Sequence, residues 1–404
     1  MISIEEAQRN ILEHISPLET EKVSIFQGLN RVTPEDHIAP WNIPAADNSA
    51  MDGFAFSHAA LGDQRLRVTG FLPAGEVALT PVKAGEAIRI MTGAPIPPGC
   101  DTVVPLEDVE QDGQWIRFTS PVQAGSHVRM RGEDIRTGHV VIPAGSLLRP
   151  QEIGMLSAMG TTALAVYRRA RVAILATGDE LLEPGATPSP GKIINSNSYS
   201  LAAQVLDVGG DPVLLGIAPD TLEATCEKIK AGLNADMLVV TGGVSVGDRD
   251  FVKEAIEALG GSVTFWKVNM KPGKPLAFAR LQGKPVFALA GNPVGAMVAF
   301  ELFVRPSILK SMGHRRLFRP LVRAVLREPA DNQGERPHLV RGILSREDNR
   351  YQVSTTGNQS SGRLSSMIQG NALIIMAPES SYAAGEEVDV LLLDRGFEMR
   401  EVMQ

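Results

Sequence analysis

The sequence predicts a multidomain α/β protein whose central domain is built on a parallel sheet. Three apolar runs each end in a polar loop that contains glycine: VAILA runs into TGDEL (172–181), MLVV into TGGVSVGD (237–248), and VFALA into GNP (286–293). Continuous apolar runs separated by helical segments are typical of parallel strands covered on both faces. Short apolar segments broken by proline and glycine precede and follow this stretch, and they favour additional β-rich domains.

The three loops predict a site for an anionic, nucleotide-like ligand. Parallel sheets bind ligands beyond the carboxyl ends of their strands. Glycines let backbone amides approach a phosphate closely, and a helix N-terminus adds unpaired N–H donors. One such loop alone is more simply an ordinary tight turn, but three in one domain favour a ligand site.

Length and composition limit the alternatives. A chain of 404 residues is too long for one core and suggests roughly two to four domains. With 44% apolar and 21% charged residues it is an ordinary globular protein. The net charge of −7 argues against a general nucleic-acid binder. Local lysines, backbone amides or a metal must therefore hold an anionic ligand.

The cysteines and the N-terminus indicate the compartment. Cys100 and Cys226 are the only cysteines, so they cannot form a four-thiolate zinc site and fit poorly with a disulfide-stapled secreted protein. The first residues, MISIEEA, lack the layout of a signal peptide. No apolar run approaches the roughly 20 residues needed to cross a bilayer. We expect a cytoplasmic protein that contacts no membrane.

The first element is a helix that begins after Ser3. Glu6 stands three residues later, as a capping box requires, and apolar residues recur at helical spacing until Pro17 marks the end. After residue 150, a short helix and a strand at 151–166 are predicted to lead into the central domain.

From about residue 42 the sequence becomes typical of a small β-rich domain. Two stretches place polar side chains beside glycine in apolar surroundings: NSAMDGFA (48–55) contains Asp52, and RIMTGAPIP (89–97) contains Thr92. Asp134, in RGEDI (131–135), has a similar setting. A local Asx turn is the alternative interpretation of Asp52.

Carboxylates concentrate at the loops of the central domain. Glu180 follows the first strand, Asp220 ends the strand predicted at 213–217, and Asp250 follows the glycine loop. Carboxylates do not bind phosphate directly, but magnesium takes oxygen ligands from both. Asp220 and Asp250 also precede helices predicted at 222–233 and 251–259, so a role as N-cap is the alternative.

A cationic loop follows the strand predicted at 263–270. It reads KPGKP (271–275), and its prolines restrict the backbone, so Lys271 and Lys274 form a stiff pair suited to an oxyanion. A solvated lysine loop is the alternative. Lys267 would lie on the same face as Lys271 if the extended geometry continues that far.

The C-terminal region follows a basic linker at 313–320. Residues 321–404 alternate short strands with turns, as in a small β-barrel. Arg341 and Ser361 lie in its polar loops.

Together these motifs resemble the molybdopterin molybdenumtransferase (MoeA) family, whose relatives include the E domains of gephyrin and of its plant counterpart. The resemblance spans essentially the whole chain. It rests on seven motifs in family order: SAMDGFA (49–55), MTGAP (91–95), GED (132–134), TGDEL (177–181), TGGVSVGD (241–248), KPGKP (271–275) and GNP (291–293).

The resemblance implies an elongated chain of four domains. Residues 1–41 and 146–170 would form a helical and linking domain, 42–145 an inserted β-rich domain, 171–312 the central α/β molybdopterin-binding domain, and 321–404 a C-terminal β-barrel. It also implies a homodimer with the active site between subunits. Transient contacts with a molybdopterin adenylyltransferase and with apo-molybdoenzymes are part of the same expectation.

The implied reaction depends on magnesium and molybdate. The phosphoanhydride that links AMP to molybdopterin is cleaved, and molybdenum enters the dithiolene to give the molybdenum cofactor. Catalytic roles are expected for Asp52, Asp134, Glu180, Lys267 and Lys271. The expected substrate-binding residues are Thr92, Thr177, Gly178, Gly242, Gly243, Ser245, Asn292 and Pro293. The expected molybdate ligands are Lys271, Lys274, Arg341 and Ser361, and the metal ligands Glu180, Asp220 and Asp250.

One departure and two alternatives accompany this expectation. Gly295 stands where many relatives carry a serine, so the resemblance does not carry over one hydroxyl contact to the oxyanion, for which a backbone amide would be the substitute. A molybdopterin adenylyltransferase is the first alternative, because such enzymes share the central fold, although they typically read TGGTG where this chain reads TGGVS. A non-catalytic dimeric scaffold is the second, although that role normally accompanies extra domains and long linkers.

Overall fold

The computed structural model describes residues 1–61, 65–244, 250–394 and 396. The chain forms two compact units. The larger comprises Met1–Val23, Asn30–Pro34 and Ala165–Gln404, and the smaller comprises Ser24–Leu29 and Glu35–Leu164. None of the helices in the described part of the chain has the length and apolar character of a membrane span.

The larger unit is built on a six-stranded sheet. In chain order the strands are Arg171–Thr177, Asp211–Ala218, Met237–Thr241, Ser262–Trp266, Leu276–Leu281 and Lys284–Leu289. Their spatial order is second, first, third, sixth, fifth, fourth. The first four in this spatial order pair in parallel, as predicted from the apolar runs.

The sheet is not parallel throughout, which corrects the expectation of one parallel sheet. The strand Leu276–Leu281 runs antiparallel to both of its neighbours. The reason is the two-residue turn Gln282 and Gly283, whose φ values of 51° and 79° suit a tight hairpin. A hairpin of this length leaves no room for the crossover that a parallel pair requires.

Both faces of the sheet are covered. Alternate residues of the first strand enter different apolar cores: Val172 and Ile174 lie in one, and Ala173 and Leu175 in the other. This alternation explains why the strand reads as a continuous apolar run. The covering helices are Asn197–Asp207, Leu222–Gly232, Phe251–Ala258 and a continuous helical stretch made of Pro293–Ala299, a π-helical segment Phe300–Val304, and Arg305–Ser311.

The N-terminal helix packs into the core of the larger unit. It spans Ile4–Glu13, and the Ser3 hydroxyl accepts a hydrogen bond from the Glu6 N–H at 3.1 Å, which confirms the predicted cap. Ala7 and Ile11 are buried in the same core as one face of the sheet. Burial of a large aliphatic side chain contributes roughly 1.5–3 kcal/mol, so packing rather than chemistry accounts for this helix.

The C-terminal part of the larger unit is a closed β-barrel, as the alternating pattern predicts. Its strands are Leu321–Leu326, His338–Glu347, Arg350–Thr355, Ala372–Met376 and Glu387–Leu392. The short strands Ala330–Asn332 and Ser380–Tyr382 pair with each other, and the helix Ser365–Gln369 lies between two barrel strands in sequence.

The smaller unit is β-rich. Its main sheet has the spatial order Thr102–Pro105, Gly53–Phe56, Glu86–Ile90, Arg65–Leu72, Trp115–Phe118 and Val109–Asp112. The short strands are Asn48–Ser49, paired with Val128–Arg129, and His37–Ile38, paired with Val140–Ile142. One α-helix spans Pro150–Ala158. The strands Thr20–Ser24 and Ala163–Tyr167 lie where the chain passes from one unit to the other.

Candidate functional site

A cavity of about 730 Å³ lies in the larger unit beyond the carboxyl ends of the parallel strands. The loops after the strands Arg171–Thr177, Met237–Thr241 and Lys284–Leu289 form its wall together with the segment before the helix Asn197–Asp207. The structure brings nine predicted residues together here: Thr177, Gly178, Glu180, Asp220, Gly242, Gly243, Asp250, Asn292 and Pro293. We call this space the acidic cavity, for the carboxylates that line it.

Two glycines allow the loop after Met237–Thr241 to approach the loop after Arg171–Thr177 closely. Gly242 has φ +93°, and a Cβ there would lie 2.5 Å from the Thr177 carbonyl oxygen. Gly243 has φ +63°, and its Cβ would lie 2.9 Å from the Thr177 Oγ1. Only glycine fits such positions without displacing the neighbouring strand. The glycine loop therefore lies directly against Thr177.

The Thr177 hydroxyl is a buried, unpaired donor next to the acidic cavity in the described part of the chain. Thr177 lines the acidic cavity and is only 6% exposed, and its Oγ1 has no hydrogen-bond partner within the described residues. A buried hydroxyl without a partner costs free energy, which a bound polar ligand would recover.

Asn197 organises the same wall, although it lies outside the motifs that the sequence singled out. Its Nδ2 donates to the Thr241 Oγ1 and to the Gly291 carbonyl oxygen, both at 2.8 Å. The Thr241 hydroxyl in turn donates to the Ala290 carbonyl oxygen at 3.1 Å. These bonds join the ends of two neighbouring strands. The polar run NSNS (195–198) between apolar segments is the signal that could have revealed it.

The charged side chains of the acidic cavity are carboxylates. Among the described residues that line it, Glu180, Asp220 and Asp250 are acidic, and none is lysine, arginine or histidine. An anionic ligand therefore meets backbone amides, hydroxyls and negative charge here. Such a donor set fits an anion only together with a cation.

The alternative of simple N-capping is wrong for Asp220. The cap of the helix Leu222–Gly232 is Thr221, whose hydroxyl accepts a hydrogen bond from the Ala224 N–H at 3.3 Å. Asp220 instead accepts from the Asp179 N–H at 3.2 Å, and Asp179 accepts from the Asp220 N–H at 3.1 Å. Asp250 occupies the N-cap position of the helix Phe251–Ala258 but makes no side-chain capping hydrogen bond.

The carboxylates fit a magnesium ion that arrives with its ligand. Within the described ranges, no three histidine, cysteine or acidic side chains are already grouped as a metal cluster. Magnesium usually keeps several waters and binds through one or two carboxylates plus the phosphates of a substrate. Glu180, Asp220 and Asp250, which all line the cavity, can supply that share of the ligands.

A second cavity, of about 590 Å³, adjoins the first, since Pro275, Ala290 and Asn292 line both. We call it the cationic cavity. The predicted residues Lys271, Lys274 and Ser361 line it. Gln359 and Ser360, from the same predicted polar loop as Ser361, line it too, as do Arg336 and Asn358, which the sequence did not single out.

The lysine loop is fixed to the barrel by the main chain. The Lys271 N–H donates to the Pro337 carbonyl oxygen at 2.9 Å, and the Leu339 N–H donates to the Lys271 carbonyl oxygen at 2.7 Å. These two bonds make a parallel bridge between Lys271 and His338. The cationic cavity is thus walled by the central sheet on one side and by the barrel on the other.

Arg341 lies behind the wall of the cationic cavity rather than in it. Its side chain is fully buried, with Nε donating to the Ser366 Oγ and Nη2 to the Ser360 carbonyl oxygen, both at 3.1 Å. Its Nη1 has no partner within the described part of the chain. Burial lowers the pKa of Arg341 to about 10. Direct contact with molybdate remains a prediction, but the guanidinium fixes the Ser360 segment and adds positive charge beside it.

Lys267 does not follow the geometry predicted for it. The strand Ser262–Trp266 ends one residue earlier, and Lys267 itself has φ +102°. The expected alternation that would place it on the same face as Lys271 is therefore wrong. Lys267 is not among the residues that line either cavity, and its catalytic role remains a prediction from the resemblance alone.

Three predicted residues belong to the smaller unit. The Asp52 Oδ1 accepts hydrogen bonds from the Thr92 N–H and from the Thr92 hydroxyl, both at 2.7 Å, and these bonds lower the pKa of Asp52. A local Asx turn therefore does not explain Asp52. Asp134 is exposed, and its N–H donates to the Ile43 carbonyl oxygen at 3.2 Å. The remaining predicted residue, Ser245, lies outside the described residues.

His338 predicts a pH dependence of stability. It is buried beside the lysine loop, and burial, followed by the charges of Lys271, Arg341 and Arg336, lowers its pKa from 6.5 to about 4. Between these values the unfolded chain binds a proton that the native chain does not. Stability is therefore greatest above pH 6.5 and falls as the pH drops toward 4, by up to roughly 3 kcal/mol from this group.

The measurement for His338 compares the wild-type protein with His338→Gln, which cannot titrate. Midpoints of urea unfolding at pH 7 and pH 4.5 should fall farther apart for wild type than for the variant. Equal differences in the two proteins would show that His338 is not responsible.

The sheet is mostly parallel, and glycine loops at the carboxyl ends of its strands line a cavity. These features define a class of α/β proteins that bind anionic ligands beyond the strand ends. Family models match three consecutive parts of the chain: the MoeA N-terminal region (domain I and II) at residues 2–160, a probable molybdopterin binding domain at 173–310, and the MoeA C-terminal region (domain IV) at 323–393. The chain belongs to the MoeA family of molybdopterin molybdenumtransferases.

Individual proteins of this family are similar to the chain over nearly its whole length. A molybdopterin molybdenumtransferase of Haemophilus influenzae is 35% identical over 399 residues, which cover 96% of this chain and 98% of that protein. Its namesake in Bacillus subtilis is 33% identical over 404 residues, covering 97% and 94%. The solved structure of a molybdopterin biosynthesis MoeA protein from Pyrococcus horikoshii matches with a TM-score of 0.82 at 30% identity, covering 97% of this chain and all of that one.

Proposed function

We propose that this chain is a molybdopterin molybdenumtransferase that takes adenylylated molybdopterin and molybdate, releases AMP, and leaves molybdenum in the dithiolene of the pterin. The observation that carries the proposal is the pair of adjoining cavities. One offers amides and carboxylates, the other offers lysines, and they share Pro275, Ala290 and Asn292. This arrangement suits a phosphorylated organic ligand held beside an inorganic oxyanion.

The acidic cavity takes the adenylylated pterin. The loops at Gly178, Gly242 and Gly243 approach its phosphates, and the Thr177 hydroxyl donates to them. The Gly178 and Gly242 N–H groups already donate to the Ala218 and Leu289 carbonyl oxygens, so the amide donor of this set is that of Gly243. Magnesium, held by Glu180, Asp220 and Asp250, would neutralise negative charge on the phosphoanhydride. Asn197 joins the ends of the strands Met237–Thr241 and Lys284–Leu289 by hydrogen bonds, and so holds the loops that carry these donors in place.

The cationic cavity takes molybdate. Lys271 and Lys274 supply charge and hydrogen bonds, and Ser361 supplies a hydroxyl. Arg341 supports this wall through Ser360 and contributes charge from behind it. Because the oxyanion then lies next to the bound pterin, the site positions the metal donor beside its acceptor.

The remaining parts of the proposal rest on the family resemblance. We infer a cytoplasmic homodimer whose active site lies between subunits, with Asp52, Thr92 and Asp134 contributing to it. Asp52 and Asp134 would position the oxygen that attacks the phosphoanhydride. Transient partners are the adenylyltransferase that supplies the substrate and the apo-molybdoenzymes that receive the product.

The test is the release of AMP from adenylylated molybdopterin by the purified full-length protein. AMP should appear only when molybdate and magnesium are both present, and the pterin product should contain stoichiometric molybdenum by elemental analysis. The matched reactions omit one ion at a time.

Two results would overturn the proposal. ATP-dependent formation of the adenylylated pterin without AMP release from it would identify an adenylyltransferase. No reaction in either direction, with intact binding of the adenylylated pterin, would leave a non-catalytic binding protein.

A further inference from the structure

Two glycines lie close against each other at the wall of the cationic cavity. Gly273, in the lysine loop, and Gly295, in the helix Pro293–Ala299, are both buried and both line the cavity. A Cβ on Gly295 would lie 3.3 Å from the Gly273 nitrogen and 3.4 Å from its Cα. A side chain at residue 295 would therefore press against the Gly273 amide.

The Gly273 N–H is a buried donor without an acceptor. In the described part of the chain it makes no hydrogen bond, whereas the Lys271 N–H in the same loop donates to Pro337. A buried amide of this kind is rare, because leaving it unpaired costs about 1–3 kcal/mol. Lys271, Lys274 and Arg336 line the same cavity and favour a negatively charged ligand there. The Gly273 N–H is therefore suited to donate a hydrogen bond to an anion.

We infer that the Gly273 N–H is a direct donor to the bound oxyanion and that Gly295 determines access to it. The inference rests on the proposed function, since the oxyanion is molybdate. Gly295 has no hydroxyl to donate to the oxyanion, and the main-chain N–H of Gly273 donates in its place. A main-chain donor is held rigidly by the loop, so it loses little freedom on binding.

The same geometry makes Gly295 a position that determines how tightly the oxyanion binds. An added Cβ would also lie 3.4 Å from the Ala290 Cβ, so the contacts on both sides are tight but can relax by a few tenths of an ångström. A methyl group there would fill the space beside the Gly273 nitrogen. A serine would place the same Cβ there and add a hydroxyl that can itself donate.

The experiment compares Gly295→Ala with Gly295→Ser. Molybdate binding to the full-length protein is measured by equilibrium dialysis, and the molybdate KM is measured in the AMP-release assay. We expect the alanine variant to bind molybdate at least about tenfold more weakly, as for loss of a hydrogen bond to a charged group. The serine variant should recover most of this loss. Turnover at saturating molybdate should change little in either variant.

Gly154→Ala is the matched control. Gly154 lies in the helix Pro150–Ala158 of the smaller unit, and a Cβ there meets nothing within 4 Å. It should bind molybdate as wild type does. Melting temperatures of all three variants report whether each one folds.

A second measurement does not depend on any variant. The sequence contains four Pro-Gly pairs, at 98–99, 184–185, 190–191 and 272–273. Labelling proline with ¹³C at the carbonyl carbon and glycine with ¹⁵N therefore selects four amide signals, of which one belongs to Gly273. Addition of molybdate should move that signal.

The outcomes separate the inference from the proposed function. Wild-type affinity in Gly295→Ala, equal losses in the alanine and serine variants, or no movement among the four amide signals would overturn the role of the Gly273 N–H while leaving molybdate as substrate. Failure of the wild-type protein both to bind molybdate and to require it for AMP release would overturn the proposed function as well.

Discussion

Replacement of Lys271 by alanine is expected to lower kcat/KM for molybdate by on the order of 100-fold. Lys271 lines the cationic cavity, and its backbone is fixed to the barrel by hydrogen bonds to Pro337 and from Leu339, so its position is well defined. A hydrogen bond to a charged group contributes roughly 1.5–3 kcal/mol, and loss of the positive charge weakens the remaining contacts to a dianion. AMP release at increasing molybdate concentrations measures the effect.

Lys253→Ala is the control for this prediction. Lys253 is exposed on the helix Phe251–Ala258 and pairs with Glu257 at 3.8 Å, so its loss removes the same charge from the chain without touching either cavity. Activity close to wild type is expected. A Lys271→Ala variant that keeps the wild-type dependence on molybdate would contradict the assignment of the oxyanion to the cationic cavity.

Asp220→Asn is the second change with a large expected effect. Asp220 lines the acidic cavity and does not serve as the helix cap, which is Thr221. Asparagine keeps an acceptor oxygen of similar shape but removes the negative charge. If magnesium is held there, AMP release should fall by on the order of 100-fold, and more magnesium should be needed for half-maximal rate.

Asp179→Asn is the matched variant. Asp179 and Asp220 exchange hydrogen bonds through their carboxylates and amides, yet only Asp220 lines the cavity. A purely structural role of the pair predicts equal losses in the two variants. A metal role predicts a much larger loss, with a shifted magnesium dependence, in Asp220→Asn alone.

The sequence contained enough information for the central fold because its strongest signals are local. The apolar runs, the cap at Ser3 and the helices at Leu222–Gly232 and Phe251–Ala258 depend on short-range periodicity and capping. The antiparallel strand Leu276–Leu281 was missed because its direction depends on the conformation of two turn residues. Glutamine rarely adopts a positive φ, so Gln282 gave no sign of the turn in the sequence.

The site residues that could be predicted are those that lie in loops directly after a strand, because the strand end fixes where the loop lies. Glu180, Asp220 and the glycine loop all follow strand ends, and the topology of the sheet then gathers them. Asn197 carried only the weak local signal of the polar run NSNS (195–198). Arg336 reaches the cationic cavity from the C-terminal region, and no local pattern encodes that position. Lys267 shows the converse error, because alternation was extended past the end of a strand.

The wall shared by the two cavities has a consequence for the order of events in catalysis. Pro275, Ala290 and Asn292 border both spaces, so the pterin and the oxyanion can occupy the protein at the same time without either leaving first. If the two cavities hold the two substrates as proposed, the enzyme works through a ternary complex and not through a substituted-enzyme cycle. Double-reciprocal plots against one substrate at fixed levels of the other then intersect and do not run parallel. On the same assignment, molybdenum would pass to the dithiolene without diffusing through bulk water.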